Sequence, residues 1–122
     1  MLRRTHYKTN VAAHVFPLSA EDFFSGRYSQ VLAVQGLGFD AIYLDFCGQF
    51  GQLKRMEGVF AHLKRNDCLF GVTLQKRAMK ECLRKAKAWI EQRAAAARFL
   101  FKLTLCHEYH NMFTLFYELT PQ

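Results

Sequence analysis

Three observations predict an α/β fold for this chain of 122 residues, with a mostly parallel sheet of about five strands, a closing antiparallel hairpin and flanking helices. Short apolar runs alternate along the sequence with segments of helical periodicity, which implies crossover connections and parallel strands. The carboxyl-terminal residues 99–119 instead alternate with a period of two in two arms, the pattern of a hairpin. A content of 51% hydrophobic residues, with 12 Phe and only 2 Pro, supplies a packed core and excludes a disordered chain.

The elements follow in order. Residues 11–16 form a short apolar strand stopped by Pro17. Ser19-Ala20-Glu21-Asp22 has the S-x-x-D pattern that opens a helix, here a short one carrying Phe23 and Phe24 and broken at Gly26. A further apolar segment, Val31 to Val34, runs into Gly36-Leu37-Gly38. Residues 40–46, within FDAIYLDFCG, read as an interior strand that ends in an acid and is followed by Gly48. Leu53, Met56, Val59, Phe60 and Leu63 recur at helical spacing, with Lys54, Arg55, Lys64 and Arg65 outside, which predicts an amphipathic helix. After a turn at Asn66-Asp67, the continuous apolar run Cys68 to Leu74 suits a second interior strand. Residues 76–97 are the clearest helix: Met79, Leu83, Ala86, Ile90 and Ala94 share one stripe, while Lys80, Arg84 and Lys87 share another. In the tail, Phe99, Phe101, Leu103 and Leu105 are expected on one face, as are Phe113, Leu115, Tyr117 and Leu119, with a turn over 107–111.

The length predicts a single domain spanning residues 1–122, with a flexible start over 1–9. No apolar run reaches the roughly 18 residues of a membrane span, and no signal-peptide core follows Met1, so a soluble intracellular protein without membrane contact is expected. Cys47, Cys68, Cys82 and Cys106 are scattered among apolar neighbours and are expected as free buried thiols. No metal site is expected: in the run Cys106 to His110, adjacent strand residues face opposite ways and do not share an ion. The net charge of +7 is uneven. Residues 1–50 hold four basic and four acidic side chains, so all the excess lies in residues 51–122. Such a field favours phosphate backbones or an acidic partner.

With these elements placed, the chain resembles the carboxyl-terminal part of a class I S-adenosylmethionine-dependent methyltransferase. FDAIYLDFCG is similar to the family's fourth strand and following motif, LFGVTLQKR to its fifth strand, and Phe99 to Leu119 to its closing hairpin. The resemblance implies a truncated Rossmann-like sheet, with Asp45 facing the donor methyl group. It also implies cofactor contacts from Ser19, Asp22 and Phe23, in a segment similar to one lying against the adenine ring, and from Phe46 and Gly48. The family's glycine-rich cofactor turn has no counterpart here, because Gly36-Leu37-Gly38 precedes its strand and does not open a helix.

Asp45 is accordingly the candidate catalytic acid, set against the plainer role of a strand-end acid that organises a loop. Cys47 is the candidate nucleophile, set against a small buried thiol, since no basic neighbour in sequence lowers its pKa. Lys54, Arg55, Arg77, Lys80, Arg84 and Lys87 are the candidate nucleic-acid or partner contacts, set against a solvated helix face. S-adenosylmethionine is possible as a cofactor, although none is the leading expectation for the isolated chain. The functional expectation is a non-catalytic binding or structural subunit of a larger assembly, with nucleic acid as a candidate component. A protein partner or a second copy would cover the exposed sheet edge. The alternatives are an active transferase whose cofactor half comes from a partner, and a basic nucleic-acid-binding module.

Overall fold

In the computed structural model of the chain, residues 20–24, 38–46, 50–56, 58–75 and 79–122 are described. The strand expected over 11–16 and the apolar segment 31–34 lie outside them. The elements are α1 (Ala20–Phe24), β1 (Ala41–Asp45), α2 (Phe50–Leu53), a 3-10 turn (Val59–His62), β2 (Cys68–Gln75), α3 (Met79–Ala96), β3 (Phe99–Tyr109) and β4 (Met112–Pro121).

The four strands form one mixed sheet in the order β1-β2-β4-β3. β1 pairs with β2 in parallel, whereas β4 pairs antiparallel with both β2 and β3. The expectation of about five strands in a mostly parallel sheet is therefore corrected to four strands with mostly antiparallel pairing. The reason lies in one insertion. β1, β2 and β3 all run the same way, as strands joined by crossovers should, but β4 returns between β2 and β3 and makes both of its own pairings antiparallel.

All the described helices cover one face of this sheet. Ile42 and Leu44 of β1, Phe70, Val72 and Leu74 of β2, and Phe113, Leu115, Tyr117 and Leu119 of β4 point into a single buried cluster. From α3 come Cys82, Ala86, Trp89, Ile90 and Ala94, at the helical spacing the sequence shows. The Phe60 ring lies 4.8 Å from Phe70 and 6.3 Å from Trp89, so the 3-10 turn joins the same layer. Inside the cluster the fully buried Tyr117 donates its hydroxyl to Glu91 Oε2 at 2.8 Å.

Two elements depart from the sequence pattern. The helix expected over 53–63 is divided into α2 and the 3-10 turn, although Leu53, Met56, Val59, Phe60 and Leu63 are all buried as their spacing predicts. Gly58 precedes the 3-10 turn, and a Cβ there would stand 3.1 Å from the Phe24 carbonyl oxygen, so the chain passes too close to α1 for an unbroken, side-chain-bearing helix. Beyond it Leu63 is extended (φ −86°, ψ 141°) and bridges to Phe39. In the tail, a bulge between Leu103 and Leu105 turns Leu105 away from the face of Phe99, Phe101 and Leu103. The strands also run further than expected, leaving a tight turn at His110 and Asn111, with His110 at φ 49°.

The carboxyl end of α3 is held from a distance. Arg98 takes the left-handed conformation (φ 64°) usual for the residue after a helix. Arg65 donates to the carbonyl oxygens of Ala97 at 2.7 Å and Arg98 at 2.8 Å, and its guanidinium lies 4.4 Å from the Phe99 ring centre. The Arg98 carbonyl also accepts from the Gln122 backbone N–H at 2.9 Å, whereas the Ala97 carbonyl would otherwise lack an intrahelical donor.

Candidate functional site

The second face of the sheet carries no described helix. The pairing registers place Ala41, Tyr43 and Asp45 of β1 on it, followed across the sheet by Leu69, Gly71 and Thr73, then Thr114, Phe116 and Glu118. On β3, Leu100, Lys102, Leu105, His107 and Tyr109 complete it, the last three through the bulge. Tyr43 is 51% exposed, Leu69 47%, Leu100 58%, Leu105 46% and Tyr109 42%.

Asp45 ends β1 on this open face, opposite Thr73, and its carboxylate is exposed. Among the described residues no side chain is hydrogen-bonded or ion-paired to it. Beside it runs a chain of hydroxyls: Tyr43 to Thr73 at 2.6 Å, and Thr73 to Thr114 at 2.8 Å. Each hydroxyl both donates and accepts, so the buried Thr73 satisfies its Oγ1 on both sides. The Tyr43 ring stacks on Phe116 with centres 5.4 Å apart and planes 10° from parallel. Gly71 lies between them, and a Cβ on it would fall within 2.3 Å of the Phe116 ring, so the stack requires glycine.

Of the expected cofactor residues, Asp22, Phe23 and Phe46 are among the described residues. Phe46 turns into the core and donates its backbone N–H to the Thr73 carbonyl at 3.0 Å. Asp22 and Phe23 lie in α1, whose Phe23 ring meets Phe39 at 6.2 Å and His62 at 6.4 Å. Phe39 and Asp45 stand at opposite ends of the β1 segment, about 20 Å apart at strand rise. Ser19, Cys47 and Gly48 lie outside the described residues, as does Arg77. A cavity of about 210 Å³ lies at the start of β2, lined by Asp67, Cys68 and Leu69 with Glu118, Leu119 and Thr120. It is at the end of the sheet away from Asp45 and below the usual size of a small-molecule site.

Of the expected buried thiols, Cys68 and Cys82 are buried and free, but Cys106, beyond the bulge on the edge strand β3, is exposed. Burial raises the pKa of Cys68, which donates to the carbonyl oxygens of Lys64 and Asn66 at 3.2 Å each. It is a loop anchor rather than a thiolate nucleophile.

Lys102 lies on the open face, and the other described basic residues differ in their commitments. Arg65 holds the α3 terminus, and Lys64 pairs with Asp40 at 3.5 Å. Arg84 and Lys85 share Glu81 at 2.9 and 3.9 Å, with all three side chains largely exposed. Lys54 stands 5.9 Å from the centre of the Phe50 ring, Arg55 is exposed beside it, and α2 packs against α3. Lys87 is half-buried on α3, and Lys80 lies in the first turn of that helix. Lys54 and Arg55 follow α2, and Arg84, Lys85 and Lys87 lie on α3, the helix that α2 packs against; of the contacts expected from sequence, Lys54, Arg55, Arg84 and Lys87 are thus on these two adjoining elements. The hydroxyl row and the Arg65 clamp were not anticipated. Gly71 within an apolar strand is the sequence signal that could have pointed to the open face.

No protein-family model matches the chain, and no curated protein matches its sequence. No described helix is long and apolar enough to cross a membrane.

Proposed function

We propose that the chain is a methyltransferase-like domain acting without transferase activity of its own, as a binding or structural subunit of a larger assembly whose nucleic acid meets the α2–α3 surface. The observation that carries this reading is the separation of the two surfaces. Asp45 stands on an open sheet face with the expected adenine-side segment at the far end of β1, whereas the exposed cations gather on the helical layer. The methyltransferase resemblance draws support from the parallel pair β1 and β2, each entering a helical segment, and from the closing hairpin after α3. Phosphate binding draws support from the net charge of +7 and from Arg84 and Lys85, whose ion pairs with Glu81 are solvent-exposed. A protein partner is the reading for the sheet, since β1 has a described neighbour on one side only.

The test is fluorescence anisotropy of a labelled oligonucleotide, titrated at several salt concentrations. Binding is expected to weaken linearly in log–log form, with a slope near −0.9 per phosphate neutralised on duplex DNA or about −0.7 on single strands. Replacing Arg84 and Lys87 with Glu should weaken binding at least about tenfold at low salt and flatten the slope. Binding that ignores both salt and these substitutions contradicts the assignment of this surface.

A further inference from the structure

We propose that the open sheet face is a self-association surface, on which a second copy of the chain packs face to face. Of the six large hydrophobic side chains exposed among the described residues, five lie on this face and only Phe101 does not. An apolar concentration of that kind marks an interface. The inference stands apart from the nucleic-acid reading, which concerns the opposite layer.

Charge selects the occupant. The face carries two acids, Asp45 and Glu118, and one lysine, Lys102, beside His107, so its charges nearly cancel while the chain is at +7. Phosphate gains little there. A second, equally basic copy meets no concentrated repulsion there, which it would meet on the helical side.

The registers are also self-complementary. A two-fold axis between the sheets and along the strands sets β1 over the partner's β3 and β2 over its β4. Three rows of the sheet then oppose themselves in reverse: Tyr43, Gly71, Phe116 and Leu105; Asp45, Thr73, Thr114 and His107; and Ala41, Leu69, Glu118 and Lys102, in which the two charged side chains cover Leu69 and Ala41 of the second copy. Tyr43 faces Leu105 of the second copy, the Tyr43–Phe116 stack that covers Gly71 lies between the two sheets, and Asp45 faces His107, each contact occurring twice as an isologous interface requires. Sheets packed this way lie about 10 Å apart with strands within about 30° of alignment. Four strands of this length span about 500 Å² in plan, and the corrugated accessible surface is larger, approaching the roughly 800 Å² per partner of a standard interface.

Sedimentation equilibrium of the full chain across about 1–100 µM tests the proposal, over the range in which a standard-sized interface dissociates. The expected result is a mass approaching twice 14.2 kDa at the upper concentrations. Leu105→Glu should shift dissociation to at least about tenfold higher concentration, and Phe101→Glu, on the other face, should not. Asp45→Lys should weaken the dimer, and Asp45→Lys with His107→Asp should restore it. Each variant is checked for the wild-type circular dichroism spectrum, and the charge reversal provides a second reading if Leu105→Glu misfolds. A chain that stays monomeric throughout overturns the proposal. So does a dimer indifferent to the open-face substitutions, or one abolished by Arg84→Glu and Lys87→Glu, which would move the interface to the helical layer.

Discussion

At the scale of single residues, the clearest lesson is that a basic side chain in an amphipathic pattern can be structural. Arg65 looks like part of a solvated stripe, yet its two nitrogens bridge consecutive carbonyls at the end of α3 while its plane covers Phe99. A planar fork is needed for that, and an ammonium group supplies only a point charge. Arg65→Lys is therefore expected to cost about 1–2 kcal/mol, seen as a lower urea midpoint without a change in spectrum. Tyr117 gives a second prediction. Burial first, and then its hydrogen bond to the Glu91 carboxylate, raise its pKa above the ordinary phenol value of 10.0. Above that value the unfolded chain releases the proton and the folded chain retains it, so the stability this group provides is full at lower pH and falls as pH rises. The urea midpoint should decline as pH rises above about 10, and less steeply in Tyr117→Phe.

At the scale of elements, apolar periodicity identified what is buried better than what shape buries it. Leu53, Met56, Val59, Phe60 and Leu63 are all in the core, but the helix they suggest is broken where Gly58 approaches the Phe24 carbonyl. That contact joins residues far apart in sequence, which a local pattern does not register. The alternation of β4 was legible because Phe113, Leu115, Tyr117 and Leu119 face a continuous core. In β3 the alternation misled, since one bulge reverses every side chain after it. The bulge also blunts a long edge strand, which otherwise offers unpaired backbone groups to other chains. Deleting Thr104 is expected to remove the bulge while leaving Leu105 opposite Phe116 on the open face, and so to straighten the edge and increase concentration-dependent aggregation, measured by light scattering on heating. An unchanged aggregation profile would show that Lys102 and Glu118 alone protect this edge.

At the scale of the whole molecule, the sequence indicated both the α/β class and an excess of positive charge beyond residue 50, and the fold gives each a direction. The strand directions followed from the alternation of strands and helices, but the pairing did not, because nothing local marks β4 for insertion between β2 and β3. Asp45 was visible as a strand-end acid, whereas its place on an open face depends on which side of the sheet the helices cover. The result is a domain with a basic helical layer and a nearly neutral apolar sheet face. On this account the methyltransferase-like motif stands on a surface that binds protein rather than cofactor. Calorimetric titration of the intact chain with S-adenosylmethionine, at protein concentrations spanning those of self-association, tests that claim most directly. The account predicts no saturable heat at any concentration. Saturable binding with a Kd of about 1 µM, near −8 kcal/mol, and its loss in Asp45→Asn, would contradict it and make Asp45 part of a cofactor site.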